Sequence, residues 1–380
     1  MDRRQLIVRG AALALAAPAL PLLLAPTAHA APPSAQLPSR AEIIAVLRRV
    51  TDHWISTHGD SGNNGWARAT FFSGLMAVYR LTRDARYLNY ARAWAEKHNY
   101  GILGGVTTRH ADNHNAIQTY LDLHEVEPEA RKLTAAEDTL RRMITNQPNK
   151  NDDWWWDDAL HMAMPPFARF GQLRNDTAFS TKLHRLYNHT KRVQGGPGLW
   201  APGLGGLWYR DDRFLPGKIL SPSGKPVLWS RGNGWVAAGH VKVLKALPAG
   251  APNVPEYRDT LTRLVTTLGP LQRTDGFWNV NLGDAAHLPG PETSGTSFFA
   301  YGAAYAIAAG LVPSATYLPV AARAWNGMVA TAVHADGFLG YVQNVGDRPE
   351  SSQPITYNST ADFGVGAFLL AGTELAGLAR

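Results

Sequence analysis

The chain has 380 residues, no cysteine and a formal net charge of +7. Without cysteine there is no disulfide, no thiolate metal site and no thiol nucleophile, so stability has to come from a packed core, which this length can supply. The Lys and Arg residues are dispersed rather than clustered, which argues against a nucleic-acid footprint and suits acidic ligands.

Residues 1–30 read as an export leader. Arg3-Arg4 precedes an Ala/Leu-rich run ending at Leu24, and Ala28-His29-Ala30 is a small-x-small cleavage site. The paired arginines fit the twin-arginine route, and no cysteine follows that could carry a lipid anchor. Cleavage after Ala30 removes Asp2, Arg3, Arg4 and Arg9, lowering the net charge from +7 to +5. No later segment is long and apolar enough to span a membrane. The expected product is a soluble, secreted or periplasmic monomer with one domain over 31–380.

From there two kinds of helix alternate. Ser39-Arg40-Ala41-Glu42 is a capping box, followed by Ile43, Leu47, Val50 and Trp54 at helical spacing. Further amphipathic helices are predicted over 85–98, 134–146, 177–193, 255–268 and 315–333. Between them lie segments rich in Gly, Ala and aromatics and poor in charge, at 66–79, 114–123, 158–170, 233–244, 296–309 and 363–378. Helices apolar all round are buried helices. From Phe72 to Gly366 the mean repeat is about 59 residues, the length of a helical hairpin with its loops. Six outer and six inner helices in alternation describe an all-α (α/α)6 barrel. Short hairpin strands are expected only on loops, at 206–214 and 276–281.

The loops before the inner helices hold the chemistry-bearing residues. His110-Ala111-Asp112-Asn113-His114-Asn115 precedes the second inner helix, and Asp112 is either its cap or a functional carboxylate. His110 and His114 flank Asp112, but nothing else resembles a zinc motif, and no metal is expected. Trp154-Trp155-Trp156-Asp157-Asp158 opens the third inner helix one repeat on. Flat indoles beside a carboxylate suit a sugar ring and an acid at the reacting bond, although tryptophans are also often buried. Asp157 and Asp158 point about 100° apart on a helix, so only one faces the axis. Asp112 and Asp158 at one mouth would form the two-carboxylate arrangement of glycosidases, one protonated and one ionised.

Trp229-Ser230-Arg231-Gly232-Asn233-Gly234-Trp235 forms the third cluster. Its glycines allow a tight entry turn, Arg231 could clamp a carboxylate, and Trp235 could stack on a sugar. The small hydroxyls of Ser294, Thr296, Ser359 and Thr360 read as helix caps.

Taken together, Trp156-Asp157-Asp158-Ala159-Leu160-His161-Met162-Ala163 with Pro165-Pro166-Phe167, the Trp229–Trp235 cluster, Ser294-Gly295-Thr296 and Ser359-Thr360-Ala361-Asp362 resemble the unsaturated rhamnogalacturonyl hydrolases of glycoside hydrolase family 105. These are related to the unsaturated glucuronyl hydrolases of family 88. The resemblance runs in order through nearly the whole chain after the leader. It implies an (α/α)6 barrel that needs no cofactor and removes a 4,5-unsaturated uronic acid from the non-reducing end of lyase-generated oligosaccharides. It places the general acid/base on Asp158 and the second carboxylate on Asp112 with Asn115 beside it. Arg231 and Trp235 fall in the substrate pocket, with Trp156, His161 and Trp229 as further contacts. Where the family shows a His after Gly-Leu-aromatic-aromatic, this chain has Arg210, a departure that bears on the sugar beyond the first ring.

The implied chemistry is hydration of a vinyl ether, with Asp158 kept protonated by burial among the tryptophans and by Asp112. Three other readings remain. A lyase on the same barrel would use Tyr120, His161 or Tyr209 as base; an inverting glycosidase would use the two carboxylates conventionally; a non-catalytic glycan-binding protein would survive loss of both.

Overall fold

The computed structural model describes residues 31–379, and the expected leader at 1–30 lies outside them. Both halves of the predicted capping box form at the first helix: Ser39 Oγ accepts from the Glu42 N–H at 3.3 Å, and Glu42 Oε2 accepts from the Ser39 N–H at 2.8 Å. This α1 (Arg40–Thr57) buries Ile43, Leu47, Val50 and Trp54, the stripe that the spacing predicts.

Eleven further α-helices follow among the described residues. They are α2 (Trp66–Thr82), α3 (Ala85–Lys97), α4 (Ala116–Val126), α5 (Thr134–Thr145), α6 (Ala159–Arg174), α7 (Thr177–Arg192), α8 (Ser230–Ala246), α9 (Val254–Leu271), α10 (Thr293–Ala308), α11 (Ser314–Thr331) and α12 (Asp362–Leu378). The even-numbered helices pack in sequence, α2 on α4 through to α10 on α12, and α12 packs back on α2, which closes the ring. Of the odd-numbered helices, α1, α3, α7, α9 and α11 lie against this ring, and α5 lies beside α7. The fold is therefore the (α/α)6 barrel read from the alternation.

Glycines set the closest approaches between inner helices. A Cβ on Gly74 would sit 2.5 Å from the Gly366 carbonyl oxygen, and one on Gly366 would sit 2.3 Å from that of Thr70. These two residues let α2 and α12 meet almost backbone to backbone at the seam. An ion pair from Arg68 Nε to Asp362 Oδ2 at 2.7 Å spans the same seam.

Inside α6 stand Pro165 and Pro166, which cannot donate to the carbonyls four residues earlier. For His161 the missing donor is replaced from α4: Gln118 Nε2 reaches its carbonyl oxygen at 2.8 Å. A buried helix can keep a proline when a neighbour satisfies the freed group.

Two segments differ from expectation. The hairpin at 206–214 shrinks to β1 (Trp200–Ala201) paired antiparallel with β2 (Leu207–Trp208), and 276–281 forms only a single bridge, Trp229 to Asn281. Helix α8 begins at Ser230, so Gly232 and Gly234 lie in its first turns rather than in an entry turn. They are small because neighbours crowd them: a Cβ would meet Asp157 Oδ2 at 2.5 Å from Gly232 and Phe298 Cβ at 2.9 Å from Gly234.

All six inner helices run the same way, so their N-terminal ends share one mouth of the barrel and their last turns the other. The latter mouth holds a cavity of about 820 Å³ lined by Arg80, Asp122, Arg169, Lys242 and Glu374 among others.

Candidate active site

At the N-terminal mouth the carboxylates of 112 and 158 meet. Asp112 sits in a 3₁₀ turn (Ala111–His114) just before α4 and makes no capping bond. His110 lies beside it, Nδ1 to Oδ2 at 3.8 Å, and burial lowers the pKa of that imidazole below 6.5, which favours its neutral form. Burial, and then the proximity of Asp158, push its pKa from 3.8 up to about 7, with Arg210 offsetting part of the rise.

Asp158 occupies the N-cap position of α6 yet caps nothing with its side chain. It pairs instead with Arg210, whose Nε lies 3.1 Å from Oδ2. Backbone pairing brings that arginine in: Trp156 bridges Asp211 antiparallel, and the Asp157 N–H donates to the Arg210 carbonyl at 2.8 Å. Arg210 is held from behind by Asp211 at 2.7 Å, which also takes Arg213 at 2.8 Å, and Arg213 reaches Asp347 at 2.8 Å. Alternating charges therefore run from the 347 loop to Asp158. Such charge-assisted bonds fix geometry as well as charge.

Asp157 lies beneath this pair, fully buried, with no hydrogen-bond donor at either carboxyl oxygen. Burial and the neighbouring Asp158 carboxylate raise its pKa well above the usual carboxylate range. Its two oxygens occupy the space a side chain at Gly232 would need, since a Cβ there would lie 2.5 and 3.0 Å from them.

The three tryptophans divide. Trp154 is buried beside Phe167 and Trp156 is buried, while Trp155 is 43% exposed. Trp155 stacks obliquely on Trp156 at 4.5 Å and carries Arg210 at 5.7 Å from its ring. His110 adds a ring 4.9 Å from Trp156. The accessible faces at this mouth are thus Trp155 and His110, with Asp112, Asp158 and Arg210 between them.

The other expected contacts lie behind this surface. Arg231 is buried; its Nη1 donates to the carbonyls of Gln343 and Asn344 at 2.6 and 3.0 Å, and its guanidinium stacks over Trp229 at 4.2 Å. Burial lowers its pKa to about 10, although Glu292 and Asp158 oppose the shift. Trp229 turns its indole N–H to Gln343 Oε1 at 2.9 Å. Trp235 is buried in the barrel axis, 4.8 Å from His161 and 4.4 Å from Phe298. His161 is likewise buried, neither ring nitrogen has a partner, and burial pushes its pKa well below 6.5. Asn115 Nδ2 donates to the Trp66 carbonyl and to Thr70 Oγ1, both at 2.8 Å. His114 turns Nε2 to the Thr108 carbonyl at 3.3 Å, so the His110, Asp112 and His114 trio does not converge.

The sequence reading passed over Asp211 as a partner and Glu292 as a cap. Their nearest partners are local, Arg210 and Arg213 for Asp211 and the N–H groups of Ser294 and Gly295 for Glu292, and an acidic residue just before the α10 hydroxyls is itself an N-cap signal; only the bond from the Gln343 N–H to Glu292 comes from a distant loop.

The whole mouth is electropositive in backbone terms. Six inner-helix N-termini converge on it, each with the positive end of its peptide dipoles, which favours an anion there.

The chain aligns with known proteins over most of its length. Residues 41–379 match the sequence profile of Glycosyl Hydrolase Family 88. An unsaturated 3S-rhamnoglycuronyl hydrolase of Alteromonas sp. (strain LOR) is 29% identical over 330 residues, covering 82% of this chain and 77% of that protein. Among solved structures, a glycosyl hydrolase family 88 protein from Bacteroides vulgatus is 31% identical with a TM-score of 0.83, covering 90% of this chain and 99% of that one. A structure described as a polysaccharide lyase is 33% identical with the same TM-score of 0.83, covering 89% and 98%. With the profile spanning nearly all of the barrel, the chain belongs to glycosyl hydrolase family 88 and is a glycoside hydrolase.

Proposed function

We propose that the enzyme removes a 4,5-unsaturated uronic acid from the non-reducing end of oligosaccharides released by polysaccharide lyases, and that the leader at 1–30 exports it to meet them. The reading rests on one observation above all: Asp112 and Asp158 stand at the starts of adjacent inner helices with Arg210 bonded to Asp158. The Alteromonas relative, named for an unsaturated rhamnoglycuronyl substrate, supports the substrate class.

In this mechanism Arg210 and the converging helix N-termini hold the uronate carboxylate. Asp112 keeps its own proton up to about pH 7, because burial and the neighbouring Asp158 disfavour its ionisation. As the substrate carboxylate takes up part of Arg210, that proton passes to Asp158. Asp158 gives it to C4, positive charge develops at C5 next to the ring oxygen, and water adds there with its proton passing back to the carboxyl pair. The C5 hemiketal opens to a ketone by breaking the bond from C5 to the ring oxygen. C1 is left as a hemiacetal, which expels the remaining sugar as an alcohol. General acid catalysis of this kind contributes about 10² to 10⁴-fold. Trp155 supplies the ring face for the sugar that follows.

Turnover consumes the ultraviolet absorbance of the C4=C5 bond. Asp158→Asn is expected to abolish that loss on unsaturated oligosaccharides from pectin, ulvan, glucuronan or arabinogalactan. A variant that still turned over near the normal rate would remove Asp158 from the mechanism.

A second reading is favoured by the likeness to the polysaccharide lyase structure at 33% identity. A lyase would create the same chromophore from a saturated uronate, with His110 beside Asp112, or Tyr209 next to Arg210 in the chain, as candidate bases. The sign of the absorbance change separates the two directly.

A further inference from the structure

Asp157 has no part in the mechanism above, yet among the described residues it is a carboxyl buried with no partner at either oxygen. Its side chain is wholly buried, and no N–H or O–H reaches either oxygen. An ionised carboxylate there would be a buried charge with no counterion in contact and no donor, which costs several kcal/mol by order of magnitude. Beside it lies another carboxyl, that of the next residue Asp158, whose charge and hydrogen bond, after burial, hold the proton on Asp157. Two carboxyls in hydrogen-bonding contact need a proton between them. Asp158 already accepts from Arg210 Nε at 3.1 Å and so sits as the acceptor of the pair. The remaining charges facing Asp157 are Arg210 and Asp211, which are bonded to each other.

Its placement is fixed on every side. The Asp157 N–H donates to the Arg210 carbonyl at 2.8 Å and its own carbonyl accepts from Leu160 at 3.1 Å, so the backbone cannot rotate away. Gly232 gives the carboxyl its room, since a Cβ there would lie 2.5 Å from Oδ2.

We infer that Asp157 is a neutral carboxylic acid that donates its O–H to Asp158, a positioning residue that stabilises the negative charge left on Asp158 as its proton moves to the substrate. The inference rests on the proposed role of Asp158. Together the Asp157 O–H and the Arg210 N–H form a pair of fixed donors around the carboxylate that the reaction creates. Donors already aimed at developing charge need no reorganisation during the step. The role requires a neutral donor at 157 and not a titrating group.

Replacement with asparagine and alanine tests this. Asp157→Asn keeps a neutral N–H donor of the same shape and is expected to hold kcat within about three-fold of the parent, with the basic limb of its pH profile in place. Asp157→Ala removes the donor; kcat should fall about 10- to 100-fold with KM little changed, and the basic limb should move up by about half a pH unit or more, because a hydrogen bond favouring the charged form is gone. An infrared band of a buried protonated carboxyl at pH 8, present in the parent and missing in Asp157→Asn, gives a readout independent of turnover. It also decides the matter if the alanine variant fails to fold. Equal impairment of the two variants would overturn the inference. So would a downward shift of the basic limb in both, as loss of a negative charge at 157 would produce, or absence of the infrared band in the parent. Asp158→Asn separates the two levels: normal turnover there removes the underlying mechanism, whereas an inactive Asp158→Asn beside an equally inactive Asp157→Asn removes only the role given to Asp157.

Discussion

Asp112 holds its proton to about pH 7 in the folded protein but only to about 3.8 as an ordinary carboxyl. The stability linked to that proton is fully present below about pH 3.8 and is lost as the pH rises through about 7. Asp112→Asn, which cannot ionise, should therefore be more stable than the parent at pH 8, by roughly 1–3 kcal/mol once its partial exposure is allowed for, with no gain at pH 3.5. Urea denaturation at the two pH values measures the difference, and equal midpoints at pH 8 would contradict the burial argument. The candidate carboxyls themselves were legible because each stands one helical repeat from the other at a loop end. The charge state of each was not. The sequence places the protonated acid at 158 by proximity to tryptophan, whereas burial raises Asp112 and Asp157 and gives Asp158 an arginine. Arg210 is visible as a departure from a motif, but its distance to Asp158 follows from a backbone bridge between loops 52 residues apart.

Among the helices, α10 shows how a buried element begins without an obvious signal. The small hydroxyls of Ser294 and Thr296 suggest caps, yet both fall inside the helix, and the cap is Glu292. Its carboxylate accepts from the N–H groups of Ser294 and Gly295 at 2.9 and 2.7 Å and from that of Gln343 at 3.1 Å, entirely out of solvent. Glu292 thus ties the start of α10 to the loop that receives Arg231. Glu292→Ala should lower stability by about 2–3 kcal/mol, since it strands buried N–H groups at a helix start. It should also weaken turnover by loosening the 343–347 loop that ends at Asp347. A thermal melt alongside steady-state kinetics checks both, and an unchanged melting temperature would show that the cap is dispensable. The twelve helices themselves were readable from alternation of amphipathic and uniformly apolar segments, to within a few residues at each end. The start of α8 was misplaced because glycine pairs signal turns locally, while here they answer to a carboxyl and a phenylalanine on other helices. The short strands were overread for a related reason: Phe277, Trp278 and Val280 have β-forming side chains but pack singly under the barrel rim.

At the scale of the whole molecule the barrel divides its chemistry between two ends. Inner-helix N-termini gather at the mouth that holds Asp112 and Asp158, and last turns at the other, where Arg80, Arg169 and Lys245 sit close to Asp122, Glu125 and Glu374. Arg80 and Lys245 stand in the last turns of α2 and α8, where cations suit the negative ends of the helix dipoles. The ring holds only if its seam closes, and Gly366→Ala should open it: the added methyl meets the Thr70 carbonyl and the Phe71 Cα rather than a flexible side chain. A loss of about 3 kcal/mol is expected, read as a lower melting temperature by circular dichroism, and a variant as stable as the parent would mean that α2 and α12 can part without cost.

That seam also has a consequence in time. The Arg68–Asp362 pair joins positions 294 residues apart. Contacts this distant are slow to form and cannot begin until both partners exist. During translation α2 emerges early and waits, its apolar face without its neighbour, until the ribosome has delivered residues 362–378. A message cut short before codon 362 would therefore yield an open arc with a bare α2 flank, a substrate for chaperones and proteases rather than a partly working hydrolase.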